Sequence, residues 1–293
     1  MGPQELMGNA VRLGAAVDAL AALAAHVRIE TEGLPADPRV RELLAAVATE
    51  VLGEDGEVEG SSAGAVVGLA RAFLRQGAEL IDNPGRSGGW DQVDVPLLQS
   101  IGRMSMAVSD AIRAAEERLD GLGERLAVPE ARFLDIGTGT GWLAIAMARS
   151  HPGLQVVGID IFAPALELAR GNVDAEGLDG AIELRLQDAV TLDERDGYDA
   201  IWVPMPFLPK AIVPEVIAAA ARSLRPGGWV LPGTFAGPDD RLSQLLTDLR
   251  IVRAGGHPWR AEELIGVLED AGLAEAAEVP RAWPVRLFAG RGV

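Results

Sequence analysis

Three carboxylates and a glycine-rich turn are the residues of this chain whose types and spacing could do chemistry. Asp135 stands just before the turn Gly137–Gly141, Asp160 ends the apolar run that follows, and Asp188 comes soon after the next such run. Glycine suits such a turn because the backbone enters left-handed angles and a ligand can approach the main chain closely. If these runs are strands of one parallel sheet, the three carboxylates gather at its carboxyl edge, where ligands of such sheets bind.

The spacing of the glycines indicates which ligand the turn suits. A dinucleotide-binding turn reads G-x-G-x-x-G, whereas this chain reads G-x-G-x-G and has Trp142 where the last dinucleotide glycine would stand. A carboxylate at Asp135 would repel a diphosphate but could face a cationic amino-acid group. Asp160 could accept hydrogen bonds from vicinal ribose hydroxyls, and Asp188 could accept one from an adenine amine. The pattern therefore predicts a nucleoside joined to a positively charged amino acid.

The segments around these residues alternate between short apolar runs and helical patterns, which predicts an α/β, doubly wound fold. The predicted strands are Arg132–Ile136, Gln155–Asp160, Ile182–Leu186, Ala200–Val203 and Trp229–Leu231. The predicted helices are Gly141–Arg149, Pro164–Val173, Val213–Ser223 and Ala261–Ala271. Two closing strands, Ala276–Val279 and Val285–Ala289, indicate an antiparallel edge.

The chain before residue 130 has helical spacing and no strand pattern. Helices are predicted at Pro38–Leu52, Ala65–Ile81 and Val95–Leu119, with a breaker cluster at residues 83–89. We therefore expect a helical N-terminal domain over 1–85, a linker and lid helix over 86–128, and a ligand-binding α/β domain over 129–293.

The composition limits the classes of function. The chain has no cysteine, which excludes disulfides, thiolate metal sites and Cys nucleophiles, and we expect no metal site. Acidic residues outnumber basic ones by 43 to 26, so nucleic acids and anionic membranes are disfavoured as partners. The start shows no signal-peptide pattern, and the early apolar stretch Leu13–Ala25 is short and contains Asp18. A cytoplasmic protein without a membrane segment is expected.

Residues 131–293 resemble a class I S-adenosylmethionine-dependent methyltransferase of the small-molecule type, which has a helical N-terminal extension. The resemblance rests on five segments in matching order and spacing: residues 134–141 (LDIGTGTG), 158–160 (GID), 187–188 (QD), 198–202 (YDAIW) and 224–231 (LRPGGWVL). It implies a Rossmann-like sheet of seven strands with an antiparallel last strand, and S-adenosyl-L-methionine as the cofactor.

The resemblance also implies which residues bind this cofactor. Asp135 and the turn would face the methionine part, Asp160 the ribose, and the residues around Asp188 the adenine. Trp142 would either line the cofactor pocket or pack in the core. The full predicted set is Asp135, Gly137, Thr138, Gly139, Gly141, Trp142, Asp160, Ile161, Gln187, Asp188, Ala189 and Pro204.

The sequence defines the methyl acceptor less well than the cofactor. Methyltransferases of adenine or glutamine amides carry Asn/Asp-Pro-Pro-aromatic where this chain has VPMPF at 203–207, so a small organic acceptor is expected. Met205 and Phe207 are candidate substrate contacts, as are Trp90 and His257. A general base is optional in such a reaction. His257 is the candidate for one, against the alternative of a solvated loop histidine, while Trp90 is a lid or a core residue.

Other functions stay open on the sequence alone. A protein of the same fold could bind the cofactor yet catalyse a cyclisation, decarboxylation or hydroxylation. An NAD-dependent dehydrogenase is a third reading, although Trp142 replaces the glycine that it needs. The helical N-terminus could be a substrate lid, the interface of a homodimer, or both.

Overall fold

The computed structural model describes residues 2–53, 60–89, 94–280 and 285–293. The chain divides into two compact units. The first comprises Met1–Pro84 with Gln99–Met104, and the second comprises Gly85–Leu98 with Ser105–Val293.

The first unit is helical. It contains α1 (Pro3–Glu32), α2 (Pro38–Leu52), α3 (Gly60–Asp82) and part of α4 (Val95–Glu116). Its core is formed by small and branched apolar residues, among them Leu23, Val27, Ala48, Val67 and Ala70. By length and composition, α1 is long and apolar enough over Gln4–Glu32 to cross a membrane, and 17% of its most apolar window is buried. The apolar segment is therefore longer than the stretch Leu13–Ala25 expected from the sequence.

Seven strands of the described second unit form one sheet in the order β3-β2-β1-β4-β5-β7-β6. The strands are β1 (Arg132–Ile136), β2 (Gln155–Asp160), β3 (Ile182–Leu186), β4 (Tyr198–Pro204), β5 (Leu224–Phe235), β6 (Ala274–Val279) and β7 (Val285–Arg291). The first five are parallel, and β7 runs antiparallel between β5 and β6. The strand order reverses at β1, which creates the switch point where ligands of open α/β sheets bind. The predicted doubly wound, seven-stranded fold with a helical N-terminal region is confirmed.

Six helices of the described chain accompany this sheet, and most of them pack on its two faces. They are α5 (Leu122–Ala127), α6 (Trp142–Ser150), α7 (Ala163–Ala175), α8 (Val213–Ser223), α9 (Arg241–Arg253) and α10 (Ala261–Asp270). Alternate strand residues point to opposite faces. Phe133 and Trp229 therefore pack in the core with α5 and α6, whereas Leu134 and Val230 pack in the core with α8 and α10.

The sequence patterns did not predict α5 and α9. Helix α5 has six residues and buries Leu122 and Leu126, so its single i, i+4 pair gives no periodic signal. Helix α9 begins at the N-cap Asp240, whose carboxylate accepts hydrogen bonds from the backbone N–H groups of Leu242 and Ser243. Its leucines 242, 245, 246 and 249 recur at helical spacing and yet are 40–58% exposed.

Gly233 of β5 faces the indole of Trp202, and its substitution should destabilise the sheet. A Cβ built on Gly233 would lie 2.1 Å from Cη2 of Trp202, so Gly233→Ala forces a buried ring to move. We expect a loss of about 1–3 kcal/mol in the free energy of unfolding, as for other overpacked cores, measured by urea denaturation. Gly171→Ala on α7 is the matched control, because its Cβ would meet no atom of the described chain within 4 Å. Equal midpoints for the two variants would contradict this packing.

Candidate functional site

The turn after β1 has the backbone conformation that its glycines predict. Gly137, Gly139 and Gly141 have φ angles of 64°, 57° and 82°, in the left-handed region that glycine adopts without strain. A Cβ on Gly137 would lie 2.9 Å from Cγ of Pro204, at the end of β4. Gly137 thus lets the turn lie against the neighbouring strand end.

Asp160 fixes this turn to the end of β2. Its Oδ2 accepts a hydrogen bond from the Gly139 N–H at 2.8 Å, and its Oδ1 accepts one from the Phe162 N–H at 2.8 Å. The Thr138 N–H also donates to the carbonyl of Ile159 at 3.0 Å. Burial raises the pKa of Asp160, and the backbone donors oppose that rise. The two carboxylate oxygens together offer about four lone pairs, so Asp160 can accept a further donor beside the backbone N–H groups of Gly139, Phe162 and Ile161.

Asp135 is buried beneath the turn. The hydroxyl of Thr138 donates to its Oδ2 at 2.7 Å. Desolvation by burial, with a smaller effect from the nearby charge of Asp160, raises the pKa of Asp135 to about 7, although the hydrogen bonds from Thr138 and the backbone of Ala144 oppose the rise. The side chain is 1% exposed, so its ionised form needs a compensating partner.

The end of β3 completes one side of the site. The Gln187 N–H donates to the carbonyl of Asp160 at 3.0 Å. Asp188 is exposed, and its Oδ1 accepts from the Val190 N–H at 3.1 Å, while Ala189 beside it is buried. Ile161 is 72% exposed, which is unusual for an isoleucine next to a strand end. An apolar side chain and a carboxylate are thus available to a ligand that reaches Asp160.

The space in front of the turn is open. A Cβ built on Gly139 would have one atom of the described chain within 4 Å, the carbonyl oxygen of Gly137 at 3.9 Å. The hydroxyl oxygen of Thr140 is buried and has no hydrogen-bond partner among the described residues. An open space in front of Gly139, next to the carboxylate of Asp160 that this residue bonds to, fits a ligand that carries hydroxyls.

Trp142 begins α6 and is 5% exposed. It belongs to the core cluster formed with α4 and α5. The indole is therefore packed, and its contact with a cofactor stays a prediction.

The end of β4 is apolar. Pro204 and Met205 are buried, and the ring of Phe207 meets the ring of Phe235 edge to face, with centroids 6.0 Å apart. Phe235 ends β5, the neighbouring parallel strand. Aromatic and apolar side chains thus surround the carboxyl ends of β4 and β5, as in a site for an apolar molecule.

His257 lies next to this apolar edge. The preceding Gly256 is packed so tightly that a Cβ on it would lie 2.3 Å from the carbonyl oxygen of Pro206. The ring of His257 meets Trp259 edge to face at 4.9 Å, and its Nε2 lies 3.1 Å from Nζ of Lys210. Burial, followed by the charge of Lys210, lowers the pKa of His257, and Glu263 opposes them. The imidazole is therefore held in its neutral form near pH 7.

Trp90 lies outside the described residues. The glycines before it lie along the end of α9: the Gly89 N–H donates to the carbonyl of Arg253 at 3.3 Å, and a Cβ on Gly88 would lie 2.1 Å from the carbonyl oxygen of Val252.

The structure therefore brings together the predicted residues of β1, β2, β3 and β4 at one edge. Sequence reasoning did not select Lys210, Phe235 or Glu263. Lys210 had one available signal, because it is the single lysine of the chain.

Comparison with known proteins identifies the class of domain. Residues 133–228 match the family described as "Methyltransferase domain". Release factor glutamine methyltransferase of Gloeobacter violaceus is 32% identical over 142 residues, which cover 40% of this chain and 50% of that protein. Demethylmenaquinone methyltransferase of Thermus thermophilus is 35% identical over 108 residues, which cover 36% and 48%. The chain thus spans about half the length of these curated relatives.

Solved structures share the fold over the whole chain. An O-methyltransferase family protein from Burkholderia thailandensis superposes with a TM-score of 0.65 at 18% identity and covers 98% of each chain. Mitomycin 7-O-methyltransferase gives a TM-score of 0.61 at 20% identity, covering 99% of this chain and 98% of that one. At such identities the likeness establishes the fold.

Asp135→Asn should change how stability depends on pH. The folded protein holds the Asp135 proton up to about pH 7, whereas the ordinary pKa is 3.8. The free energy of unfolding of the wild type therefore falls as the pH rises from about 4 to about 7, because the unfolded chain releases this proton more readily than the folded protein. The neutral amide of the variant carries no such proton, so the variant avoids the loss. We expect the variant to equal the wild type near pH 4 and to exceed it by up to about 4 kcal/mol at pH 8, at 1.36 kcal/mol per pKa unit.

Urea denaturation at several pH values measures this difference. Asp174→Asn, at an exposed position of α7, is the control and should follow the wild-type curve. Parallel curves for Asp135→Asn and the wild type would show that burial does not raise the pKa of this carboxyl.

Proposed function

We propose that this chain, whose residues 133–228 form a methyltransferase domain of the class I family, binds S-adenosyl-L-methionine and transfers its methyl group to a small organic acceptor. The observation that carries the proposal is the joint geometry of the glycine turn and Asp160. The turn is held to that carboxylate by the Gly139 N–H, and the space in front of Gly139 is open.

The residues at this edge fit the cofactor part by part. Asp160 can accept a further hydrogen bond and would take it from the ribose hydroxyls. Ile161 and Asp188 are exposed on either side of it and would contact the adenine face and amine, with Gln187 and Ala189 beside them. Asp135 and the turn would hold the amino-acid part. A cation close to Asp135 supplies the partner that its buried charge needs, whereas a diphosphate would be repelled.

The chain's own contribution to the reaction is chiefly orientation. When bound, the cofactor supplies a methyl group that is already activated by its positive sulfur. Holding two reactants in line can contribute roughly 7–11 kcal/mol to lowering a barrier. Pro204 borders the turn on the side of β4, and the half-buried Phe207 would hold the acceptor beside it. Met205 is packed in the core, so its contact with an acceptor stays a prediction. His257, neutral near pH 7, is the candidate to receive the acceptor's proton.

Three observations support a small acceptor. The segment at 203–207 has Val203 where amide and adenine methyltransferases place a polar residue. Phe207 and Phe235 form an aromatic pair at the strand ends. The net charge of −17 opposes a polyanion. Mitomycin 7-O-methyltransferase, which has the same fold, acts on a small molecule by its name. The similarity to release factor glutamine methyltransferase covers only 40% of the chain. The three observations above fit a small metabolite better than a protein glutamine, so we propose a role in secondary metabolism.

The N-terminal helices are proposed to join two copies of the chain. Apolar residues on α1 are exposed, including Leu6, Met7, Val11 and Leu13. A second copy would bury them, which we favour over a bilayer because Arg12 and Asp18 lie within the same stretch. We propose that the protein is cytoplasmic. We also propose that residues 1–85, 86–128 and 129–293 serve as a helical domain, a linker with a lid helix, and the cofactor-binding domain, although 86–98 and 105–128 belong to the same compact unit as the sheet.

Asp160→Ala should weaken cofactor binding. The variant loses the acceptor for the ribose hydroxyls, and hydrogen bonds to a charged group contribute about 1.5–3 kcal/mol. Isothermal titration calorimetry with S-adenosyl-L-methionine should therefore show a dissociation constant raised about 10- to 150-fold. Asp174→Ala on the exposed face of α7 is the control and should bind as the wild type does. An unchanged constant for Asp160→Ala would show that the ribose lies elsewhere.

Gly137→Ala should abolish methyl transfer while the protein stays folded. The new methyl group would sit at a positive φ and 2.9 Å from Pro204, which distorts the turn. The assay follows labelled methyl groups from the cofactor into a panel of phenols, amines and quinones, with circular dichroism as the check on folding. Gly171→Ala should keep full activity. Wild-type protein that binds the cofactor but labels no acceptor would favour a non-methylating reaction on the same fold.

A further inference from the structure

Lys210, His257 and Glu263 form a cluster of charged and titratable groups beside the proposed acceptor site. Nζ of Lys210 lies 3.1 Å from Nε2 of His257 and 3.7 Å from Oε1 of Glu263. The ammonium also lies 5.2 Å from the ring centroid of Trp259. The single lysine of a chain with 26 basic residues thus contacts one of its three histidines.

The contact between Lys210 and His257 fixes where the imidazole proton resides. A lysine ammonium has three N–H donors and no acceptor. A hydrogen bond between the two nitrogens therefore requires Nε2 of His257 to be the unprotonated, accepting nitrogen. The ring proton must then sit on Nδ1.

Glu263 keeps the ammonium in place. Its Oε2 accepts a hydrogen bond from the backbone N–H of Arg260 at 3.1 Å, as part of the N-terminal cap of α10. That bond and nearby cations, Lys210 first among them, lower the pKa of Glu263. The carboxylate thus stays ionised and attracts Lys210, while its Oε2 remains 4.0 Å from Nε2 of His257.

The charges on His257 oppose each other. The positive charge of Lys210 disfavours the protonated imidazolium form of His257, whereas the negative charge of Glu263, on α10, favours it. Burial acts in the same direction as Lys210 and is the largest cause, so the balance leaves the pKa of His257 lowered.

We propose that Lys210 is a positioning residue that presents Nε2 of His257 as the proton acceptor for the methyl-accepting molecule. The inference rests on the proposed methyl transfer. An acceptor hydroxyl or amine takes the place of Lys210 at Nε2, and the displaced ammonium stays with Glu263. As the acceptor atom bonds to the methyl carbon, the carbon–sulfur electron pair stays on sulfur. The acceptor's proton moves to Nε2 and leaves to solvent, because the adjacent ammonium disfavours the imidazolium.

A spectroscopic test needs no substrate. Long-range ¹H–¹⁵N correlation spectra of the full chain at pH 8 distinguish the two neutral tautomers of each of the three histidines. We expect Nδ1–H for His257 in the wild type. Lys210→Met should return it to Nε2–H, the form that free imidazole side chains prefer, and raise its titration midpoint.

Two matched variants sharpen this test. Lys210→Arg keeps a donor-only cation and should keep the Nδ1–H tautomer. Glu263→Gln retains an acceptor for the helix cap and removes the opposing charge, so the midpoint should fall instead of rising. His26 and His151 serve as internal references, and thermal unfolding checks that each variant folds. An Nε2–H tautomer in the wild type, or an unchanged spectrum in Lys210→Met, would overturn the proposal.

Kinetics separate this inference from the proposed function. For an acceptor that the wild type methylates, the acidic limb of kcat/KM should move to higher pH in Lys210→Met, while calorimetry shows unchanged cofactor affinity. If the NMR midpoint rises but the acidic limb does not move, the role of His257 as proton acceptor is disproved. If the wild type binds no cofactor, the proposed function fails, whatever the tautomer of His257.

Discussion

The hydrogen bond from the Gly139 N–H to the carboxylate of Asp160 is the interaction on which the rest of the site depends. It joins the turn after β1 to the end of the neighbouring strand β2. Gly158 makes the approach possible, since a Cβ there would lie 2.8 Å from the hydroxyl oxygen of Thr138. Thr138 then bonds to Asp135. One missing side chain thus allows the turn, the threonine and both carboxylates to share a single edge.

The sequence predicts the parts of this arrangement that are governed by local rules. Short apolar runs indicate strands, glycines indicate the left-handed turn, and Asp160 follows from its place at a strand end. Contacts between distant segments give no such pattern. Lys210 and His257 are 47 residues apart, and Phe207 meets Phe235 because β4 and β5 are neighbours in the sheet. Those contacts depend on how the strands pair, which periodicity within one segment cannot encode.

Helix α9 shows a different limit. Its leucines have helical spacing, but hydrophobic patterning is informative chiefly because the apolar face of a helix is normally buried. Here Leu242 and Leu245 are exposed and Ile251 near the end of the helix is its buried residue. The cap at Asp240 therefore fixes the start of the helix. Local capping chemistry therefore carries the information that burial usually provides.

The buried carboxylates at the two ends of the sheet are satisfied in opposite ways, and the contrast indicates which end is functional. Asp199, at the amino end of β4, accepts from Nη1 of Arg225 at 2.6 Å and has Arg125 at 3.6 Å. Asp135 and Asp160 have only neutral donors among the described residues: a hydroxyl and backbone N–H groups. Burying a charge without a cationic partner costs free energy, and the protein without a ligand bears this cost. A ligand that brings a cation to Asp135 and hydroxyls to Asp160 would recover it, so the site trades stability of the protein alone for affinity.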